Sequence, residues 1–288
     1  MHSSNIRSHH RETLSGPLNT AKNNARWQVL LGIGLIILLI CAIYWPALHG
    51  SFILDDELLT QNKLIKAPDG LYRFWCTTEP TDYWPVTSTS FWLEWRLWGD
   101  QPTGYHATNL VLHIADSLLL WLLLRQLNIP GAFLAALIFA VHPVNVESVV
   151  WIAQRKNLLA LLFFLLSTFC YFKTDALLTS ENEIRLQQSA GPWYLLSLML
   201  FILSMLSKGS VVILPGLLLL ITWWRRPLTI WDIARTAPFF LVGRLLALLN
   251  VWFQTHGTDT IVRNISAVDR LLGAGAVIWF YLQGTVTD

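Results

Sequence analysis

"WQVLLGIGLIILLICAIYWPAL", residues 27–48, decides the fold. It carries no charged side chain, and its length matches the roughly 20 apolar residues that a helix needs to cross the hydrocarbon core of a bilayer. The rest of the chain continues in kind: of 288 residues, 54% are hydrophobic and 13% charged, and many of the 15 tryptophans stand at the ends of apolar runs. Tryptophan at such places suits a membrane–water interface. These features predict an all-α polytopic membrane protein.

Charge on either side of the first run sets its direction. Residues 1–26 carry Arg7, Arg11, Lys22 and Arg26 against Glu12, a net of +3, whereas residues 49–106 hold eight acids and four bases, a net of −4. The positive-inside preference then makes residues 1–26 a cytoplasmic tail and 49–106 a large first external loop. No good small-residue cleavage site follows the run, so it reads as a retained anchor rather than a signal peptide.

Seven to eight spans are expected in the domain 27–288. The second covers about His106 to Leu127. After "NIP", a third starts at Gly131 and ends in "HPVNVESVVWIAQRKN". The fourth covers about Leu158 to Phe172 and leads into a polar cytoplasmic stretch, 173–191. Residues 192–224 hold a single charge, Lys208. One helix of that length would measure about 50 Å against a core of about 30 Å, so two short spans meeting at Lys208 fit better. A seventh covers about Ile233 to Phe253 with Arg244 inside it, and an eighth begins near Leu271. The chain stops at Asp288 soon after "GAGAVIWFYLQG", which reads as a truncated protein.

Several function classes drop out. A formal charge of +2 without a basic, aromatic-interleaved tract gives no footing for nucleic acid. Cys41, Cys76 and Cys170 have no metal-ligand spacing, and an odd count argues against a disulfide framework.

Chemistry-bearing residues gather on the external side. Asp55, Asp56 and Glu57 follow the first span directly, and Arg155, Lys156 and Lys208 fall at outward turns where basic residues are disfavoured. Taken singly, the lysines and arginine could snorkel and the acids could open a solvated helix. Taken together, a carboxylate pair facing a basic cluster points to an anionic substrate handled beside a base, with one aspartate modulating the other. His142 and Glu147 join the candidates. Pro143 breaks the helix there, and Glu147 is costly near the membrane unless it is paired or wet. An ion pair of Glu147 with Arg155 is the structural alternative. His106, Asn109 and His113 share one helix face, and their spacing favours hydrogen bonds between spans over metal ligation. In "FWLEWRLWG", residues 91–99, Phe91, Trp92, Trp95 and Trp98 recur at helical spacing, as in a helix lying in the interface or packed on other spans.

The runs "YWPVTSTSFWLEWRLWGDQPTGYHATNLVLHIADSLLLWLLL", "LIFAVHPVNVESVVWIAQRKNLLALLFFLLS" and "LSKGSVVILPGLLLL" resemble bacterial membrane proteins that carry tetratricopeptide repeats. These are relatives of the animal transmembrane O-mannosyltransferases within the wider group of lipid-linked-sugar glycosyltransferases. The likeness covers about residues 27–283, and its most specific part is the HPxxxES…RK block. The chain departs from the family pattern at Trp84-Pro85, at Asn157, where relatives often have aspartate, and at Gly209, where an acid or proline often follows the lysine.

The resemblance implies an inverting membrane glycosyltransferase, or the N-terminal part of one, in a bacterial inner membrane. Its donor would be a polyprenyl-phosphate sugar, and its acceptor a hydroxyl, of protein Ser or Thr or of a glycan, on the external face. Asp55 would be the base and Asp56 its partner, with Asn62 at a family-like spacing. His142, Glu147, Arg155, Lys156 and Lys208 would bind substrate, the basic groups meeting the donor phosphate. No cofactor or metal ligand set is expected, although a divalent metal beside the acidic pair stays open. The rival readings are a lipid or glycolipid transporter and an inactive remnant.

Overall fold

The computed structural model describes residues 26–56, 61–80, 82–178 and 190–256, with further positions between 266 and 279. The expected tail (residues 1–25 of it), Glu57, most of the polar stretch 173–191 and most of the expected eighth span lie outside the described residues.

Helix α1, Arg26–His49, is the opening run, and its last turn, Trp45–His49, tightens to 3₁₀ at Pro46. Only one stripe of α1 is buried, carried by Ile36, Ile40 and Tyr44. Most of the remaining face is apolar and exposed, as suits lipid contact. Three short helices follow, α2 (Lys63–Lys66), α3 (Gly70–Cys76) and α4 (Pro85–Trp98), before α5 (Pro102–Gln126) returns through the bundle. A tight turn with Asn128 and Gly131 at positive φ leads to α6 (Ala132–Val141), which bends by 52° into a segment ending in α7 (Val146–Val150). Then come α8 (Arg155–Leu178), α9 (Ala190–Ser207), α10 (Leu214–Arg225) and α11 (Ile230–His256).

Five of these helices are long and apolar enough to cross a membrane, and the bent α6–α7 segment would make six. That makes the chain an integral membrane protein. The expected count of seven to eight is met only in part. The helix from Gly209 to Arg225 is apolar but falls below spanning length, about 26 Å at 1.5 Å per residue. The expected break at Lys208 is present: its φ of −160° and ψ of 128° are extended, and a 3₁₀ turn, Gly209–Ile213, precedes α10.

Between apolar helices in lipid, close packing and polar contacts drive association more than water exclusion does. Helices α8 and α9 show this. Ser167 Oγ donates to the Ser197 carbonyl at 2.8 Å, Ser197 Oγ returns to the Ser167 carbonyl at 2.7 Å, and Ser204 Oγ reaches the Ala160 carbonyl at 2.7 Å. One buried cluster joins α1, α5, α6 and α7 around Ile40, Leu110, Ala136, Ala140 and Val149. A second joins α5 and α8 to α11 around Phe172, Phe201, Leu214 and Phe239.

The expected external loop is an ordered helical cap. Its own apolar cluster comprises Leu64, Ile65, Phe74, Phe91, Tyr105 and Ile152. Asn62 caps α2 by accepting the Leu64 N–H at 2.8 Å. Trp92 Nε1 donates to the Ala67 carbonyl at 3.0 Å, while Arg96 stacks on Trp92 and donates to the carbonyls of Ile65 and Ala67. Thus "FWLEWRLWG" forms a helix packed on the rest of the protein.

Candidate active site

Leu54 adopts a left-handed conformation, φ 51°, in the turn that carries the acidic pair. The two neighbouring carboxylates diverge from it. Asp55 is exposed, whereas Asp56 is fully buried. Asp56 Oδ1 accepts the Ala153 N–H at 2.7 Å and Oδ2 accepts the Ile53 N–H at 3.2 Å, which ties the turn to the start of α8. Burial pushes the Asp56 carboxyl above the ordinary aspartate value, offset in part by the N–H groups of Ala153, Ile53 and Ile152 and by nearby His106.

Arg155 departs from its expected role. Its side chain is fully buried: Nε donates to Asn109 Oδ1 at 2.8 Å, Nη2 donates to the Tyr105 carbonyl at 2.8 Å, and Nη1 pairs with Glu94. Its charge is therefore taken by Glu94, not offered to a ligand, and the Glu147–Arg155 pair does not form. Asn109 also reaches the Val149 and Trp151 carbonyls, and His113 Nε2 donates to the Ala140 carbonyl at 3.0 Å. Asn109 and His113 thus bond across segments as expected of the shared face, whereas the ring nitrogens of His106, the third residue of that face, are buried without a hydrogen-bond partner. Glu94 is the residue that sequence reasoning missed; its only signal was a lone acid among interfacial tryptophans.

Lys156 and Lys208, the other two expected basic residues, are both half-buried. Lys156 Nζ lies 4.6 Å from the ring centre of Trp84, so the Trp84-Pro85 departure supplies a wall for the lysine. Lys208 Nζ donates to Asn157 Oδ1. Asn157 in turn donates to Ser148 Oγ at 3.0 Å and Gln154 Oε1 at 3.1 Å. Burial pulls the Lys208 ammonium below the ordinary lysine value, the Lys156 charge adds to this, and Glu147 opposes it. Thr87 Oγ1 donates to the Ser207 carbonyl at 3.0 Å, which fastens cap helix α4 to the residue before Lys208.

His142 and Glu147 are exposed on the bent segment. His142 Nδ1 accepts the Val144 N–H at 3.2 Å and so caps the turn after the break. A cleft of about 230 Å³ opens beside Lys208, lined by Asn157, Ala160, Leu161, Phe164 and Val211. One end is cationic and polar, and the remainder is apolar. Among the described residues, no group of three or more His, Cys, Asp and Glu side chains is placed to hold a metal ion.

No family model matches the chain, and no solved structure matches it significantly. Similar proteins are found among curated sequences. Protein O-mannosyl-transferase F38B6.6 of Caenorhabditis elegans is 32% identical over 170 residues, 53% of this chain and 24% of the relative. Protein O-mannosyl-transferase TMTC4 of Homo sapiens is 32% identical over 195 residues, 58% of this chain and 26% of the relative, and its Mus musculus counterpart is 31% identical over 218 residues, 66% and 28%. The chain spans about a quarter of the length of these relatives, and what it is similar to is a set of protein O-mannosyl-transferases.

Proposed function

We propose that this chain forms the donor-handling part of a membrane glycosyltransferase that moves a sugar, mannose by analogy with its relatives, from a polyprenyl phosphate to a Ser or Thr hydroxyl. What supports the reading is that Asp56, the neighbour of exposed Asp55, is bonded to Ala153 N–H three residues before half-buried Lys156, whose charge acts on Lys208, and that an apolar cleft leads away from Lys208. By the charge balance of the flanking segments, this site is external and the N-terminus cytoplasmic.

In this reading Asp55 is the base. It takes the hydroxyl proton as the acceptor oxygen bonds to the anomeric carbon, and the bond from that carbon to the phosphate oxygen breaks with inversion. The electron pair leaves with polyprenyl phosphate. A phosphate is already a good leaving group, so the need is for positive charge where negative charge develops. Lys156 and Lys208 supply it, and the cleft below Asn157 takes the first isoprene units. Asp56 has both oxygens occupied by backbone N–H groups and so positions Asp55.

The test is transfer of labelled mannose from polyprenyl-phosphate mannose to a Ser/Thr peptide, with the chain in lipid discs. Removing a general base costs about 10²–10⁴-fold, so Asp55→Asn should lose transfer by that factor while still binding donor. Lys208→Ala should lose binding itself, read as loss of donor-induced thermal stabilisation, about 2.7 kcal/mol at a hundredfold excess over Kd. Undiminished transfer by Asp55→Asn would remove the base assignment. Donor crossing the bilayer without sugar release would favour a transporter.

A further inference from the structure

A second, larger cleft than the one beside Lys208 lies at the opposite end of the bundle from Asp56 and Lys208. It occupies about 610 Å³ between α1, α5 and α6, and its walls include Val29, Leu31, Leu35, Trp121 and Phe133. That volume falls within the roughly 300–1,000 Å³ typical of ligand sites. Gly32 forms part of the wall, where a Cβ would come within 2.5 Å of the Trp121 ring. Trp121 is held edge-on against Phe133, ring centres 5.1 Å apart. The polar members of the lining, Gln28 and Arg125, belong to the end of α1 where the chain enters the bundle and to the last turn of α5. Arg125 is exposed, lies 5.7 Å from the Trp121 ring centre, and makes no ion pair among the described residues.

We infer that this cleft holds an anionic phospholipid from the adjacent leaflet, its phosphate on Arg125 and one acyl chain along Leu35, Trp121 and Phe133. Charge complementarity selects the occupant. The chain's own tail, residues 1–26, is basic and would meet Arg125 with like charge. An apolar helix would leave the guanidinium unpaired at a membrane boundary. A phosphate diester satisfies the arginine, and its acyl chain matches the apolar wall. The site is separate from the proposed donor site and does not depend on it.

The test uses the full chain released from lipid discs of equal phosphatidylglycerol and phosphatidylcholine, with retained lipids counted by native mass spectrometry. The native chain should keep one tightly held phosphatidylglycerol. Arg125→Gln should lose it at least tenfold, and Leu35→Trp, which fills the cleft from its rim, should lose it too. Arg225→Gln removes the same charge from another exposed position and should retain it. Equal loss in both arginine variants, an unchanged lipid count in Arg125→Gln, equal retention of the two lipids, or a second polypeptide in place of lipid would each overturn the assignment.

Discussion

At the scale of single residues, the candidate site sets a fully buried charge pair beside half-buried lysines. Arg155 and Glu94 are buried partners, 0% and 8% exposed. Removing one member of such a pair strands the other, at a cost of about 3–5 kcal/mol. Glu94→Gln should therefore lower the thermal unfolding midpoint sharply, and Arg155→Lys should not restore it, because a single ammonium cannot reach Glu94, Asn109 and the Tyr105 carbonyl in the same directions. Lys208 behaves differently. Its folded pKa lies below that of an ordinary lysine, burial being the main cause. Across the window between the two values the unfolded chain keeps a proton that the folded chain has released, so stability rises with pH there. In the proposed function donor binding needs the protonated form, and it should fall over the same window. Donor-induced stabilisation measured from about pH 7 to 10 should decline in the native chain, and earlier in Glu147→Gln, which loses the opposing charge. A flat profile in the native chain would remove Lys208 from phosphate binding.

At the scale of elements, the breaks were legible and the long-range partners were not. Pro143 and the lone charge at Lys208 interrupt apolar runs, and a helix interrupted by proline or by a costly charge leaves a mark on the sequence itself. The 52° bend and the extended Lys208 stand at those marks. Glu94 and Arg155 lie 61 positions apart, and no periodicity within either helix announces a partner that only the cap's packing creates. The order of the cap shows the same limit: its Trp-rich helix could be placed by spacing, but the contact of α2 with α3 could not. That contact depends on Gly70, where a Cβ would stand 1.8 Å from the Leu64 carbonyl oxygen. Backbone has to move to admit it. Gly70→Ala should destabilise the cap by about 1–3 kcal/mol, seen as faster hydrogen exchange at residues 61–76 with the spanning helices unchanged. Gly209 offers the contrast, since its Cβ would meet Asn250 at 3.6 Å, an ordinary contact. Gly209→Ala should leave thermal stability within about 0.5 kcal/mol.

At the scale of the whole molecule, the two ends of the bundle are held by different means. The cap and the Arg155 network close one end. At the other, Asp232 accepts Arg226 Nη1 at 2.7 Å, Arg226 Nη2 at 2.8 Å and Arg235 Nη2 at 2.6 Å, and also the Thr229 N–H at 2.8 Å and hydroxyl at 2.7 Å. Arg226 and Arg235 both reach Asp175 of α8, at 2.9 and 3.4 Å. The end of α8, the turn after α10 and the start of α11 are thus joined by two arginines that bridge the carboxylates of Asp175 and Asp232. Sequence composition hid this, because each charge taken alone reads as an ordinary boundary residue. The distance of the network from Lys208 allows stability and function to be separated. Asp232→Asn should cost about 3 kcal/mol, because the amide repels one guanidinium donor while the arginines stay 22–29% exposed and recover some hydration. Donor affinity, measured at a temperature where the variant is still folded, should be unchanged. If affinity fell in step with stability, the two ends would be one coupled unit, and the site could not be assigned to the cap face alone.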